Sequence, residues 1–299
     1  MEGFETGALI ILGLRVFGGT IGARVFQWIR VPPVVGYICV GLLIGDVGFG
    51  LVTAETVSRF HLVNLFALGV IGLLVGGELH VDVFRGRGRK LFAILIGEGV
   101  GTFALVGCST GALVYWVSGS ASGATAAGMV FGAIASATDP GSTLNNLWEA
   151  RARGILTTTL VALVALDDAL AMTLYGVGTA IARILSGAEA SLDAAVLSTA
   201  GVLLGSVAMG AGAGIGLRYI IDWLKRSDQS FVSAVGVLLL VIGLAATLAM
   251  DVILTTMSLG CALINAAPRR SKELFSTVRS FSGPIYAIFF VLVGTRRIG

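Results

Sequence analysis

VALVALDDALAMTLYG, Val161 to Gly176, sets two adjacent aspartates, Asp167 and Asp168, halfway along an otherwise apolar run. The run extends from about 154 to 184 without strand-like alternation, long enough to cross a bilayer as a helix, which takes about 20 residues. A carboxylate at the centre of such a span costs about 2.5 to 3.5 kcal/mol even on insertion scales, so an adjacent pair points to a use. Neighbouring helix positions point about 100° apart, so one carboxylate faces a cavity while the other turns to an adjoining helix. An unpaired charge is disfavoured at that depth: the carboxylate takes up a proton or, through its oxygens, a hard cation, and not both together. Competition for one carboxylate suffices to couple a cation flux to a proton flux.

Working outward, the preceding segment reads GMVFGAIASATDPGSTLNNLWEARARG, Gly128 to Gly154. It sets Thr138, Asp139, Pro140 and Gly141 inside another apolar span. Proline removes a helical donor and clashes with the preceding turn, and glycine loosens the backbone, so Pro140 and Gly141 predict a broken helix. Irregular backbone at membrane depth is tolerated only where it lines a cavity or is buried in protein. Freed carbonyls, half-helix dipole ends and the Asp139 side chain together form a polar centre suited to a cation. A plainer reading, a proline kink with Asp139 capping the second half-helix, is compatible with that one.

Composition places both segments in a membrane. Of 299 residues, 56% are hydrophobic and 12% charged, mean hydropathy is +0.95, and soluble domains carry about 25% charged residues. The 43 glycines against 5 prolines follow no G-X-Y repeat and suit close helix packing in lipid. The net charge of +3 is modest. Its basic residues lie in short loops, where topology explains them better than nucleic acid, which is not expected as a partner. Cys39, Cys108 and Cys261 fall in apolar stretches without CxxC spacing, against a disulfide or zinc framework. No P-loop, haem or zinc motif appears, so no cofactor, no enzyme activity and no primary pump is expected. The first apolar run has an acidic flank, Glu2 and Glu5, unlike an export signal, and counts as a mature helix.

Apolar runs near 6–28, 31–50, 59–80, 90–117, 122–148, 154–184, 193–223, 230–249, 251–267 and 272–295 predict an all-α membrane protein of about ten transmembrane helices. Loops after the odd-numbered helices hold fifteen of the twenty basic residues: Arg24, Arg30, Arg85, Arg87, Arg89, Lys90, Arg151, Arg153, Arg218, Lys225, Arg226, Arg269, Arg270, Lys272 and Arg279. The opposite side keeps Arg59, Arg183, Arg296 and Arg297, with Arg15 inside helix 1. The positive-inside rule then sets the N-terminus outside; the expected location is the cell (inner) membrane, multi-pass. Helices 2 and 3 contain YICVGLLIG (37–45) and GLLVG (72–76), and helices 9 and 10 contain TMSLGCALIN (256–265) and FVLVG (290–294). Gly41 to Gly76 spans 35 residues and Gly260 to Gly294 spans 34, so the copies keep register. Helix 2 runs outward and helix 9 inward, which makes the repeats inverted, a transporter signature. The division expected is a first six-helix repeat over 1–184, a linker helix over 185–229 and an incomplete second inverted repeat over 230–299.

ATDPGST (137–143), EARARG (149–154), LVALVALDDAL (160–170) and PPVVGYICVGLLIG (32–45) together resemble the bacterial sodium/proton antiporters of the monovalent cation:proton antiporter superfamily. The resemblance covers essentially the whole chain. It implies an inverted-repeat antiporter fold in which crossed broken helices meet beside a carboxylate pair. Asp168 matches the essential ion-carrying aspartate and Asp167 the preceding position, where an aspartate accompanies electrogenic exchange. Thr138 and Asp139 match the unwound stretch. The implied partners are sodium or potassium, protons, membrane lipid and a second copy of the chain as a homodimer, and the implied role is pH homeostasis. One departure stands out: a complete second copy would run roughly 90 residues past Gly294, so a C-terminally truncated chain is expected. The alternatives weighed are an ion channel, a sodium-coupled organic anion symporter and a non-transporting truncated membrane protein. Glu98 and Arg15 lie within spans, as packing or pathway residues; Glu78, His80 and His61 are read as solvated helix ends.

Overall fold

The computed structural model describes residues 2–29, 31–45, 48–50, 60–83, 88–185, 191–224 and 227–295. Of the basic residues that set the topology, Arg30, Arg59, Arg85, Arg87, Lys225, Arg226, Arg296 and Arg297 lie outside the described residues. Helices make up the described fold: α1 (Glu2–Trp28), α2 (Pro33–Ile44), α3 (His61–Glu78), α4 (Gly88–Ser118), α5 (Ala121–Ala135) and α6 (Pro140–Glu149). They continue as α7 (Ile155–Leu185), α8 (Leu192–Leu224), α9 (Ser227–Thr247), α10 (Val252–Ala266), α11 (Pro268–Ser280) and α12 (Ser282–Thr295). A 3-10 turn covers Val81–Val83.

Helix ends follow local chemistry. Pro33 opens α2 at a position that needs no N–H. Ser120 caps α5 by accepting the Gly123 N–H at 3.2 Å, after a left-handed Gly119. Ala249, with φ 54°, reverses the chain between α9 and α10, and the Met250 N–H closes that turn on the Ala245 carbonyl at 2.9 Å.

Large apolar side chains such as Trp116 on α4 and Trp223 on α8 point outward, which in a bilayer satisfies them against lipid. The interior is built differently. α4, α5 and α7 pack on one another; α10 lies between α3 and α8; and α1, α2 and α12 form a third group. Glycines bring α10 that close. A Cβ at Gly76 of α3 would collide with the Met257 carbonyl, and one at Gly260 of α10 with the Leu73 carbonyl. Gly41 of α2 and Gly294 of α12 meet in the same way, each against the other's helix backbone. The repeat glycines of YICVGLLIG and GLLVG and those of the corresponding later segments thus serve the same purpose, close helix contact.

Two departures from the sequence-based segmentation bear on the site. α2 and α10 have 12 and 15 residues, about 18 and 22 Å at 1.5 Å per residue, against a hydrocarbon core of about 30 Å. Each therefore begins or ends inside the membrane. The run at 272–295 is two helices bent by 52° around Phe281. Pro284, in the first turn of α12, has no N–H to bond the Ser280 carbonyl, so the helix cannot run through. α11 carries the charges Arg269, Arg270, Lys272 and Arg279 while α12 is apolar.

Candidate ion-binding site

The segment from Ala121 to Glu149 runs as one span of 29 residues interrupted between Ala135 and Pro140. Ser136 still closes the first half, its N–H donating to the Gly132 carbonyl at 3.1 Å. Pro140 opens the second half as its first residue. Between them the backbone leaves the helix, and the Thr138 N–H, freed from any helical acceptor, donates to Asp167 Oδ2 at 2.8 Å. That bond joins the break to the middle of α7. Asp139 caps α6: Oδ1 accepts from Gly141 N–H at 3.1 Å and Oδ2 from Ser142 N–H at 3.0 Å. The capping reading of Asp139 holds, one residue beyond the Thr138–Asp167 bond.

Asp167 and Asp168 diverge as adjacent helical positions must. Asp167 is 1% exposed; its Oδ1 faces α4, 3.8 Å from where a Cβ at Gly99 would stand. Its electrostatic neighbour there is Glu98. Asp168 is half-buried, and the charges that act on it are carboxylates, Asp251 most strongly, then Asp167 and Asp139. Among the described residues, the buried side-chain nitrogens and oxygens without a hydrogen-bond partner are Asp167 Oδ1, Asp168 Oδ2, the Tyr286 hydroxyl and the three guanidinium nitrogens of Arg15. Two of these four groups are the aspartate pair. Oxygens of this kind, at membrane depth, suit a proton or a monovalent cation arriving with few ligands of its own.

Three contributors lay outside the sequence reading of the site. Asp251 reads in the sequence only as a charge between two apolar runs; in the fold it caps α10, accepting the Leu254 N–H at 2.6 Å, and its own N–H donates to Ser206 Oγ of α8 at 3.0 Å. Ser206 lies about 20 Å along α8 from Leu192, so Asp251 sits well inside the membrane. Tyr286 of α12 packs over the start of α6 and leaves no periodic signal at all. Glu78 was expected as a solvated helix end; instead it accepts a hydrogen bond from Trp148 Nε1 at 3.1 Å and pairs with Arg279 at 3.6 Å. The Arg279 guanidinium lies 3.7 Å from the centre of the Trp148 ring. This contact ties the far end of α6 to α3 and α11. It separates two cavities, of about 460 Å³ bordered by Arg151, Arg153 and Thr157, and about 240 Å³ bordered by His80, Lys272 and Ser276. Arg15 is fully buried, its guanidinium 4.7 Å from the Phe60 ring centre.

With this geometry in hand, comparison with known proteins is direct. The family described as "Sodium/hydrogen exchanger, transmembrane" matches residues 13–296. No curated protein sequence matches the chain. Two structures of the sodium proton antiporter MjNhaP1 from Methanocaldococcus jannaschii have the same fold. The one at pH 8 is 18% identical with a TM-score of 0.70, over 99% of this chain and 71% of that one. The one from an electron-microscopy map is 20% identical with a TM-score of 0.72, over 96% and 69%.

Proposed function

This chain belongs to the sodium/hydrogen exchanger family, and from that premise we propose how its residues exchange a monovalent cation for protons across a membrane. It is a multi-pass membrane transporter with sodium and protons as substrates. The carrier is Asp168. Asp167 and Asp168 each keep one buried oxygen without a hydrogen-bond partner, but Asp167 is tied through its other oxygen to the Thr138 N–H; that difference carries the assignment, because the untied carboxylate is the one that can accept either ion. Asp167 holds the broken helix in place through Thr138, and Asp139 keeps α6 capped while adding negative potential at Asp168.

One carboxylate occupied alternately by a cation and a proton gives exchange without any further coupling device, provided the site opens to one side at a time. The helices that carry it, α5, α6 and α7, would shift against α3, α10, α11 and α12, and the Glu78–Trp148–Arg279 contact lies across that boundary. Potassium as an alternative cargo, a homodimer in contact with lipid, the inner membrane and an outward N-terminus complete the proposal. They rest on the carboxylate chemistry, the apolar outer surface and the distribution of basic residues.

The test is cation-driven proton movement in vesicles. Asp168→Asn should abolish it, and Asp167→Asn should impair it less or change the charge moved per cycle. Lowering the pH protonates the shared carboxylate and should raise the apparent cation KM before it changes the maximal rate. Coupled exchange by Asp168→Asn would remove the carrier assignment, and an uncoupled sodium current in the unaltered protein would favour a channel.

A further inference from the structure

Tyr286 is a phenol buried in the protein with nothing for its hydroxyl to bond. It is 1% exposed, and its oxygen has no partner. The ring stacks on Phe290 with centroids 6.1 Å apart and planes within 7°, so its direction is set by packing. That direction leads to the break. A Cβ placed at Gly141 would stand 3.5 Å from Tyr286 Cε1 and 3.4 Å from Asp139 Oδ1, so the absence of a side chain at 141 brings the ring edge beside the capping carboxylate. The charges acting on Tyr286 are Asp139 and, in the opposite sense and more weakly, Arg279. Both Asp139 oxygens already accept N–H groups from α6.

A buried hydroxyl without a partner is destabilising, and phenylalanine would fill the same space without that cost. The oxygen therefore calls for an occupant that arrives from outside the fold. A neutral hard oxygen is a donor that sodium and potassium accept. Unlike a carboxylate, a phenol keeps its own proton at neutral pH, so it adds cation affinity without changing the number of protons exchanged.

We propose that the Tyr286 hydroxyl is a ligand, direct or through one water, for the transported monovalent cation where it meets the helix break beside Asp139. The proposal rests on the antiport reading above and adds a donor from α12.

Tyr286→Phe removes the hydroxyl and keeps the ring. In reconstituted vesicles at fixed pH, it should raise the apparent KM for sodium about tenfold, the scale of one hydrogen bond or dipole on a charge. The maximal rate should stay within about twofold, and the melting temperature of the purified protein should be unchanged or higher. An unchanged KM overturns the proposal. So does a raised KM accompanied by a lower melting temperature, which marks a packing role. Asp168→Asn measured alongside separates the two assignments: lost exchange there with a normal KM in Tyr286→Phe removes only the tyrosine, whereas retained coupled exchange in Asp168→Asn removes the carrier itself.

Discussion

Asp167→Asn and Asp167→Ala remove the same charge and differ in one respect, whether an acceptor remains for the Thr138 N–H. In the native structure that N–H lies 2.8 Å from Asp167 Oδ2 and has left its helix. Asparagine keeps a side-chain carbonyl within reach; alanine leaves the amide unsatisfied. A buried donor stripped of its acceptor costs about 1 to 3 kcal/mol. Thr138 is half-buried, so the lower part of that range applies, about 1 to 2 kcal/mol, or about 5- to 30-fold in the equilibrium between the held and the open break. Hydrogen–deuterium exchange of a peptide containing Thr138 reads this directly. The alanine variant should lose protection about 5- to 30-fold faster than the asparagine variant, and it should melt a few degrees lower. Because both variants lack the charge, a change in long-range electrostatics cannot produce the difference. Equal protection in the two would show that the Thr138–Asp167 bond does not hold the break, and the positioning role of Asp167 would fall with it.

Gly76→Ala drives a methyl group into the Met257 carbonyl and should cost about 1 to 3 kcal/mol of stability. Gly236→Ala on α9, where a Cβ meets nothing within 4 Å, should be neutral or slightly stabilising, and melting temperatures of the pair check both. Trp148→Ala removes the Glu78 hydrogen bond and the Arg279 ring contact together, weakening the closure between α6 and the α3–α11 side by about 1 to 2 kcal/mol. A cysteine placed at Thr157, beside the larger cavity, should then react about tenfold faster with a soluble thiol reagent, and an unchanged rate would mean that the contact closes nothing. Cysteines placed at Lys90 or Arg269 should be reached by an impermeant reagent only from the cytoplasmic side, and labelling in intact cells would reverse the proposed orientation.

The sequence by itself determined the solvent, the class of fold, the break at Pro140 and the buried charge of the aspartate pair, though not the bend between α11 and α12. An apolar excess of this size has no soluble solution, and runs of this length have only a helical one in lipid. Pro140 and Gly141 announced the break because proline lacks a donor whatever surrounds it. Asp167 and Asp168 announced themselves because charge at that depth is costly in any arrangement. The repeat glycines were legible as a spacing, though not as contacts.

Only the tertiary structure decided which carboxylate turned where. Both carboxylates keep one buried oxygen without a partner, but only Asp167 is tied through its other oxygen to the Thr138 amide, a distinction that depends on where α5 and α7 cross and not on either residue's identity. The same holds for Asp251, in sequence only a charge between two apolar runs, whose charge acts on Asp168 because α10 is too short to span and begins inside the membrane. Tyr286 had no signal to give, being one aromatic among many in an apolar helix. Its hydroxyl acquires meaning from the surroundings that fail to bond it. Sequence patterns record what each residue costs in a given solvent; contacts between helices far apart in the chain set which of those costs is left for an ion to settle.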